Sequence, residues 1–144
     1  MTRYGVHAGT EGASIDQIIA YWRTVESLGF EWISVWDHFY PIMGKGSAGS
    51  FEAVATHAAL AMATTRVRVG VLVYSVGYRN TAVLANAIST IDHLSGGRAE
   101  ASLGAGWAQA EYEAYGIPFP PLAERLDAMA EGVECLAGLL HEER

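Results

Sequence analysis

Apolar positions along the chain follow two alternating rhythms. Ile15, Ile18, Ile19, Trp22, Val25 and Leu28 recur every three or four residues, which places them on one face of a helix over 15–28. Ser14 with Gln17 forms a capping-box pattern at its start, and Gly29 supplies a stop. Short strand-like runs flank this helix, over 4–8 and over 32–36. The alternation then repeats. An Ala-rich helix is predicted over 51–63 and a third strand over 67–74. A helix over 81–94 follows, capped by Asn80 and closed by Ser95-Gly96-Gly97. A fourth strand is predicted over 99–103. The last helix runs over 122–140, with Leu126, Met129, Val133, Leu136 and Leu140 on one stripe. Two segments break the rhythm: a Gly/Ser-rich loop over 43–50, and a long Gly- and Pro-punctuated loop between Gly104 and Pro121.

Successive strands start roughly 30 residues apart, the length of a βαβ unit, so the pattern demands a parallel sheet with right-handed crossovers. Strand 3 is apolar on both faces, which suits a buried parallel strand. No Pro/Ser-rich linker divides the chain, so 1–144 reads as a single domain. Periodicity leaves two architectures open. One is a small doubly wound, flavodoxin-like sheet. The other is half of an eight-stranded barrel, which takes about 250 residues when complete.

Composition narrows the partners. Of 144 residues, 51% are apolar and 17% charged, enough to bury a core. A net charge of -7 argues against nucleic acid and against anionic membrane surfaces, both of which need clustered Lys and Arg. No run approaches the ~18 apolar residues of a membrane span, and no apolar signal region opens the chain. Cys135 is the one cysteine, a small hydrophobe in a helical stripe. These features together read as a cytoplasmic protein.

In either architecture chemistry collects at the C-terminal ends of the strands. There the sequence places His7, Asp37-His38-Phe39, the group Tyr74, Ser75, Tyr78, Arg79 and Asn80, and Gly104-Ala105-Gly106-Trp107 with Gln109 and Glu111 beyond. Asp37 and His38 together can bond a polar heterocycle and handle a proton near neutral pH. The plain alternative is that Asp37 caps a turn and His38 packs against the loop. A catalytic metal is not expected: His7, Asp37, His38 and His57 show neither an H-x-H nor an H-E-x-x-H spacing. His57 falls inside the second helix, facing solvent or packed, while His93 and His141 sit at helix ends. Gly104-Ala105-Gly106 lacks the third glycine of a dinucleotide fingerprint, so it reads either as a close approach to a flat ligand or as a tight turn. Gly70 marks a bulge or a close approach in strand 3. Trp107, Tyr112 and Tyr115 either cover a cofactor or pack the long loop.

Several of these segments together resemble the luciferase-like oxidoreductases. The resemblance is carried by Ser34-Val35-Trp36-Asp37-His38-Phe39, by Leu94-Ser95-Gly96-Gly97-Arg98 followed by Leu103-Gly104-Ala105-Gly106-Trp107, and by Glu111-Tyr112, Tyr115-Gly116-Ile117-Pro118-Phe119 and Glu124-Arg125-Leu126. It spans essentially the whole chain, in order, and is nearest the branch that uses the deazaflavin coenzyme F420. It implies the N-terminal half, (βα)4, of a TIM-type (β/α)8 barrel, truncated to four βα units where the family has eight. It further implies a cofactor ring over the C-terminal rim, F420 in the first place and FMN as the alternative. A non-prolyl cis peptide near Leu72-Val73 would lie behind the ring. His38 would donate or accept a proton and Asp37 would hydrogen-bond the ring. Asn80, Gly104, Gly106 and Trp107 would line the ring and the path of its tail. The reaction implied is hydride transfer between F420 and a small organic substrate, or monooxygenation with FMN and O2. Two departures stand out. Thr81 occupies a first helical position where the family favours proline, and Ala101-Ser102 replaces a bulkier strand pattern, which weakens strand 4. Four units alone leave sheet edges and an inner face open. The expected partner is therefore a second copy or a separate chain that supplies the other half-barrel. The competing expectation is a non-catalytic half-barrel that needs that partner or has lost activity.

Overall fold

A computed structural model describes residues 2–42 and 49–141. Residues 43–48 of the predicted Gly/Ser-rich loop lie outside them. The elements in chain order are β1 (Gly5–His7), α1 (Ile15–Ser27), β2 (Trp32–Val35), α2 (Ala53–Ala63), β3 (Arg68–Val71), β4 (Tyr74–Ser75), α3 (Thr81–Ser95), β5 (Ala99–Glu100), β6 (Leu103–Gly104), α4 (Gln109–Ala114) and α5 (Leu122–His141). The main sheet is parallel in the order β1-β2-β3-β5, and β4 pairs with β6 beyond it. Gly5 lies opposite Trp32, Trp32 opposite Arg68, and Val69 opposite Ala99. The order never reverses, so there is no switch point of the doubly wound kind. α1 touches α2, α2 touches α3, and α3 touches α5, forming one continuous helical layer. Progressive strand order under one helix layer is the half-barrel arrangement, and it removes the flavodoxin-like alternative.

Local chemistry sets the element ends. At α1 the Ser14 hydroxyl accepts from the Gln17 amide at 3.3 Å, and the Gln17 side chain accepts from the Ser14 amide at 2.8 Å, completing the capping box. α2 begins at Ala53, two residues later than predicted, because Glu52 folds back as its cap and accepts from the Ala55 amide at 2.8 Å. Asn80 caps α3 by accepting from the Ala82 and Val83 amides. Gly96 ends α3 at φ 70 with Gly97 at φ 86, backbone that favours glycine.

Two predicted strands are each interrupted. The predicted 67–74 run divides at the cis peptide Leu72-Val73 and resumes as β4. The predicted 99–103 run divides at Ala101-Ser102 and resumes as β6. Ser102 bridges the two breaks: its hydroxyl donates to Val71 O and its carbonyl accepts from Tyr74 N at 3.0 Å. The long loop also contains α4, which the sequence pattern did not predict.

The core lies between sheet and helices. Ile33, Val35, Val69 and Val71 project from the sheet onto Trp22, Leu60, Leu84, Ile88 and Ile91, all essentially inaccessible. Of the α5 stripe, Leu136 is buried, whereas Leu126 and Val133 stay about half exposed. The inner face is different in kind. Trp32 and Trp36, on the side of β2 opposite Ile33 and Val35, lie over Gly5 and Gly9. A Cβ at Gly9 would fall 1.8 Å from the Trp36 ring, so the glycine makes room for the indole.

Candidate functional site

At the C-terminal ends of the strands a cleft of about 270 Å³ is lined by Trp36, Asp37, His38, Leu72, Val73, Ser75, Tyr78, Gly104, Ala105, Gly106 and Trp107. The predicted site residues Asp37, His38, Leu72, Val73, Gly104, Gly106 and Trp107 thus converge on one space. Asn80 is not among them: it is exposed and its side-chain oxygen serves the α3 cap. A larger opening of about 520 Å³, with Arg3, Glu31, Trp32, Arg66 and Arg68 on its walls, lies at the opposite ends of the strands. None of the rim groups reaches it, and in barrels of this kind that end serves stability.

Asp37 is buried and doubly committed. Arg79 grips it through both nitrogens, Nη1 to Oδ2 at 2.6 Å and Nη2 to Oδ1 at 2.9 Å, and the Ser75 amide donates to Oδ2 at 2.9 Å. Burial works against the Arg79 charge, yet the bond to Asp37 outweighs it and holds the guanidinium above its ordinary pKa. Arg79 also reaches Glu52 at 3.1 Å and lies 5.5 Å from the centre of the Tyr74 ring. Beneath it, His57 is fully buried, with Nδ1 bonded to the Tyr74 hydroxyl at 3.0 Å and Nε2 to Val69 O at 3.0 Å. Of the two placements open to His57 in the sequence, packing is the one realised. Burial depresses the His57 pKa and raises that of Tyr74, so both stay neutral.

His38 stands between Trp36 and Trp107, its ring 5.3 Å from that of Trp107. Its Nδ1 meets Glu111 Oε2 at 2.9 Å. Glu111 is buried, and its other oxygen accepts from the Phe39 and Tyr40 amides at 3.1 and 2.9 Å. The Tyr78 hydroxyl donates to the same oxygen that meets His38. The sequence put Glu111, Tyr78 and Arg79 at the rim without giving them partners. The only available signal was an acidic residue beside Tyr112 in a matching motif, which looks the same whether the carboxylate is solvated or buried.

Two glycines fix the cleft wall. Gly106 has φ 78, and a Cβ there would lie 2.1 Å from the Tyr112 hydroxyl; a Cβ at Gly104 would lie 2.4 Å from Val73 Cγ2. The close approach at both positions is therefore to the protein's own side chains. The aromatic group divides its roles. Tyr112 is buried with its hydroxyl 2.5 Å from Ser75 Oγ, and Tyr115 stacks on Phe39 at 4.1 Å. Trp107 stays 66% exposed at the mouth of the cleft.

Residues 1–144 match the luciferase-like monooxygenase family. The chain is 32% identical over 142 residues to an F420-dependent glucose-6-phosphate dehydrogenase of Kribbella flavida, covering 98% of this chain and 42% of that protein. Among solved structures it superposes on an F420-dependent secondary alcohol dehydrogenase, in complex with an F420-acetone adduct, with a TM-score of 0.87 at 26% identity. That match covers 99% of this chain and 43% of the other. It also superposes on a monooxygenase from Streptomyces bottropensis with a TM-score of 0.78 at 25% identity, covering 99% and 44%. The chain thus spans a little over two fifths of the length of each of these three relatives.

Proposed function

The chain belongs to the luciferase-like monooxygenase family, and from that premise we propose that its rim cleft holds the ring of coenzyme F420 and supports hydride transfer between it and a small organic substrate. The observation that carries this reading is the convergence of His38, Leu72, Val73, Gly104, Gly106 and Trp107 on a single cleft. The residues present fit such a group. Exposed Leu72, Val73 and Trp107 offer apolar surface to a flat heterocycle, and His38 brings a proton-handling nitrogen to the same space. At about 270 Å³ the cleft suits a ring rather than ring and tail together, because whole-ligand sites run to roughly 300–1,000 Å³.

When bound, a deazaflavin supplies a carbon that accepts or returns hydride. The protein does the rest. His38 takes the proton of a substrate hydroxyl during oxidation, or gives it back during reduction. Asp37, with both oxygens engaged, acts through Arg79 and Ser75 to hold the β2 and β4 ends together. Trp107 and the Leu72-Val73 step screen the reacting atoms from water. The likeness to a monooxygenase of Streptomyces bottropensis favours a second reading, monooxygenation, for which FMN with O2 is the cofactor that the sequence resemblance implies. The reading includes a second half-barrel, from another copy or a separate chain, to cover the inner face, and a cytoplasmic location for the protein.

The test is loss of F420 absorbance when oxidised coenzyme is mixed with the protein and a panel of short secondary alcohols. The expected result is substrate-dependent reduction that falls about 10²-fold or more in His38→Ala. Reduction unaffected by His38→Ala would remove His38 from the chemistry. No reduction by folded protein, alone or with a second half-barrel, would leave a non-catalytic half-barrel.

A further inference from the structure

The surroundings of Glu111 determine more than its burial. Its carboxylate meets two backbone amides, of Phe39 and Tyr40, which can only donate. It also meets the Tyr78 hydroxyl, whose pKa burial and the bond to Glu111 push upward, so the phenol keeps its proton and donates. A carboxylate that accepts from three donors is an acceptor at its remaining contact as well. Its fourth contact, at 2.9 Å, is His38 Nδ1, and only an N–H satisfies an acceptor there. Neutral His38 is then the Nδ1–H tautomer, and the lone pair lies on Nε2, across the ring from Glu111. Among the described residues no protein group bonds that nitrogen.

We infer that Glu111 is a positioning residue that sets the tautomer of His38, so that Nε2 enters the reaction as a proton acceptor. The inference rests on reading the cleft as the F420 site. In the oxidation direction the substrate O–H bond breaks and its proton passes to Nε2. With oxidised F420 bound, the electron pair of that bond would close the carbonyl while the carbinol carbon passed its hydride to the coenzyme. The ring, now imidazolium, keeps its Nδ1–H against the Glu111 carboxylate, which offsets the charge. The opposite tautomer would carry a proton on Nε2 and have no lone pair to offer there.

Glu111→Gln tests this without moving a heavy atom. The amide oxygen still accepts from Phe39 and Tyr40, while the amide nitrogen donates to the Tyr78 oxygen and to His38 Nδ1. The substitution therefore inverts the tautomer. The readout is the pair of imidazole nitrogen shifts of His38 in long-range 15N–1H spectra at alkaline pH, assigned by their disappearance in His38→Ala. Wild type is expected to show a protonated Nδ1 and a bare Nε2, and Glu111→Gln the reverse, whereas Tyr78→Phe keeps the wild-type pattern. A protonated Nε2 in wild type, or an unchanged pattern in folded Glu111→Gln, would overturn the inference. If Glu111→Gln does not fold, the wild-type and Tyr78→Phe spectra decide it. The spectra need no coenzyme, so a failure of F420 turnover is read separately and counts against the cleft, not against the tautomer.

Discussion

Arg98 closes the end of α2 with one guanidinium. Its Nη2 donates to Ala61 O and Thr64 O, its Nη1 to Val67 O and Thr64 Oγ1, and its Nε to Ser95 O. Four of these acceptors are carbonyls that helix ends and a strand entry would otherwise leave unmet, and the fifth is the Thr64 hydroxyl. Lysine keeps the charge and loses the planar fork. Arg98→Lys is expected to cost about 2 kcal/mol, read from the urea midpoint. A midpoint matching wild type would show that water serves these carbonyls equally well. His57 makes a second prediction at this scale. Burial holds its pKa below the ordinary 6.5, so the folded protein leaves it neutral where the unfolded chain takes up a proton. The stability linked to it is therefore full above that value and is lost as pH falls below it, and His7, also lowered by desolvation, adds the same sign. Unfolding free energy is expected to decline from about pH 7.5 to about 5.5, and to decline less in His57→Gln. An identical slope in the variant would assign the effect to other groups.

Among the elements, the interruptions of β3/β4 and β5/β6 shape the cleft wall. A Cβ at Gly106 would strike the Tyr112 hydroxyl and lie 2.9 Å from Ser75 Oγ, two groups bonded to one another, on backbone at φ 78. Gly106→Ala is expected to destabilise by about 1–3 kcal/mol. At Gly70 a Cβ would find its nearest neighbour at an ordinary 3.4 Å, so Gly70→Ala is expected to be near neutral. Thermal melts of the two variants check the contrast, and equal losses would contradict it. This contrast also shows what the sequence conveys. Gly70 invites a bulge or a close approach, yet it pairs in regular register with Ser34 and Glu100 at ordinary contact distances, whereas Gly104-Ala105-Gly106 looks weak as a motif and proves tightly constrained. The four βα units, the α1 capping box and the Asn80 cap were legible because periodicity and capping are local. α4 was not: it is six residues long, starts after Ala108 with no side-chain cap, and is held by tertiary contacts of Glu111 and Tyr112. The strand breaks were not legible from periodicity either; only the resemblance pointed to the step at Leu72-Val73. The rim was legible as a set of strand ends, but Glu111 as the partner of His38 spans 73 positions in the chain.

For the whole molecule, the outward faces and the inward face obey different rules. Helices cover the outer face of the sheet, while the inner face carries Trp32, Trp36 and Arg68, and the indole Nε1 atoms of both tryptophans lack partners among the described residues. The outer edges of β1 and β5 are likewise unpaired among the described residues. Open strand edges favour association. Light scattering of the purified chain is expected to give at least twice the chain mass, or the mass of a complex when a second half-barrel is present. A stable monomer that resists proteolysis and binds no apolar dye would contradict that expectation. No described helix is long and apolar enough to cross a membrane.

In the proposed function the cleft between His38, the Leu72-Val73 step and Trp107 holds a deazaflavin ring. The most direct test is a fluorescence titration of the protein with coenzyme F420, run beside one with FMN. Saturable binding of F420 is expected, with weaker binding of FMN and loss of the signal in Trp107→Ala while the far-ultraviolet spectrum stays unchanged. Folded protein that binds neither coenzyme, or binds F420 equally well with Trp107→Ala and His38→Ala combined, would contradict the proposed function.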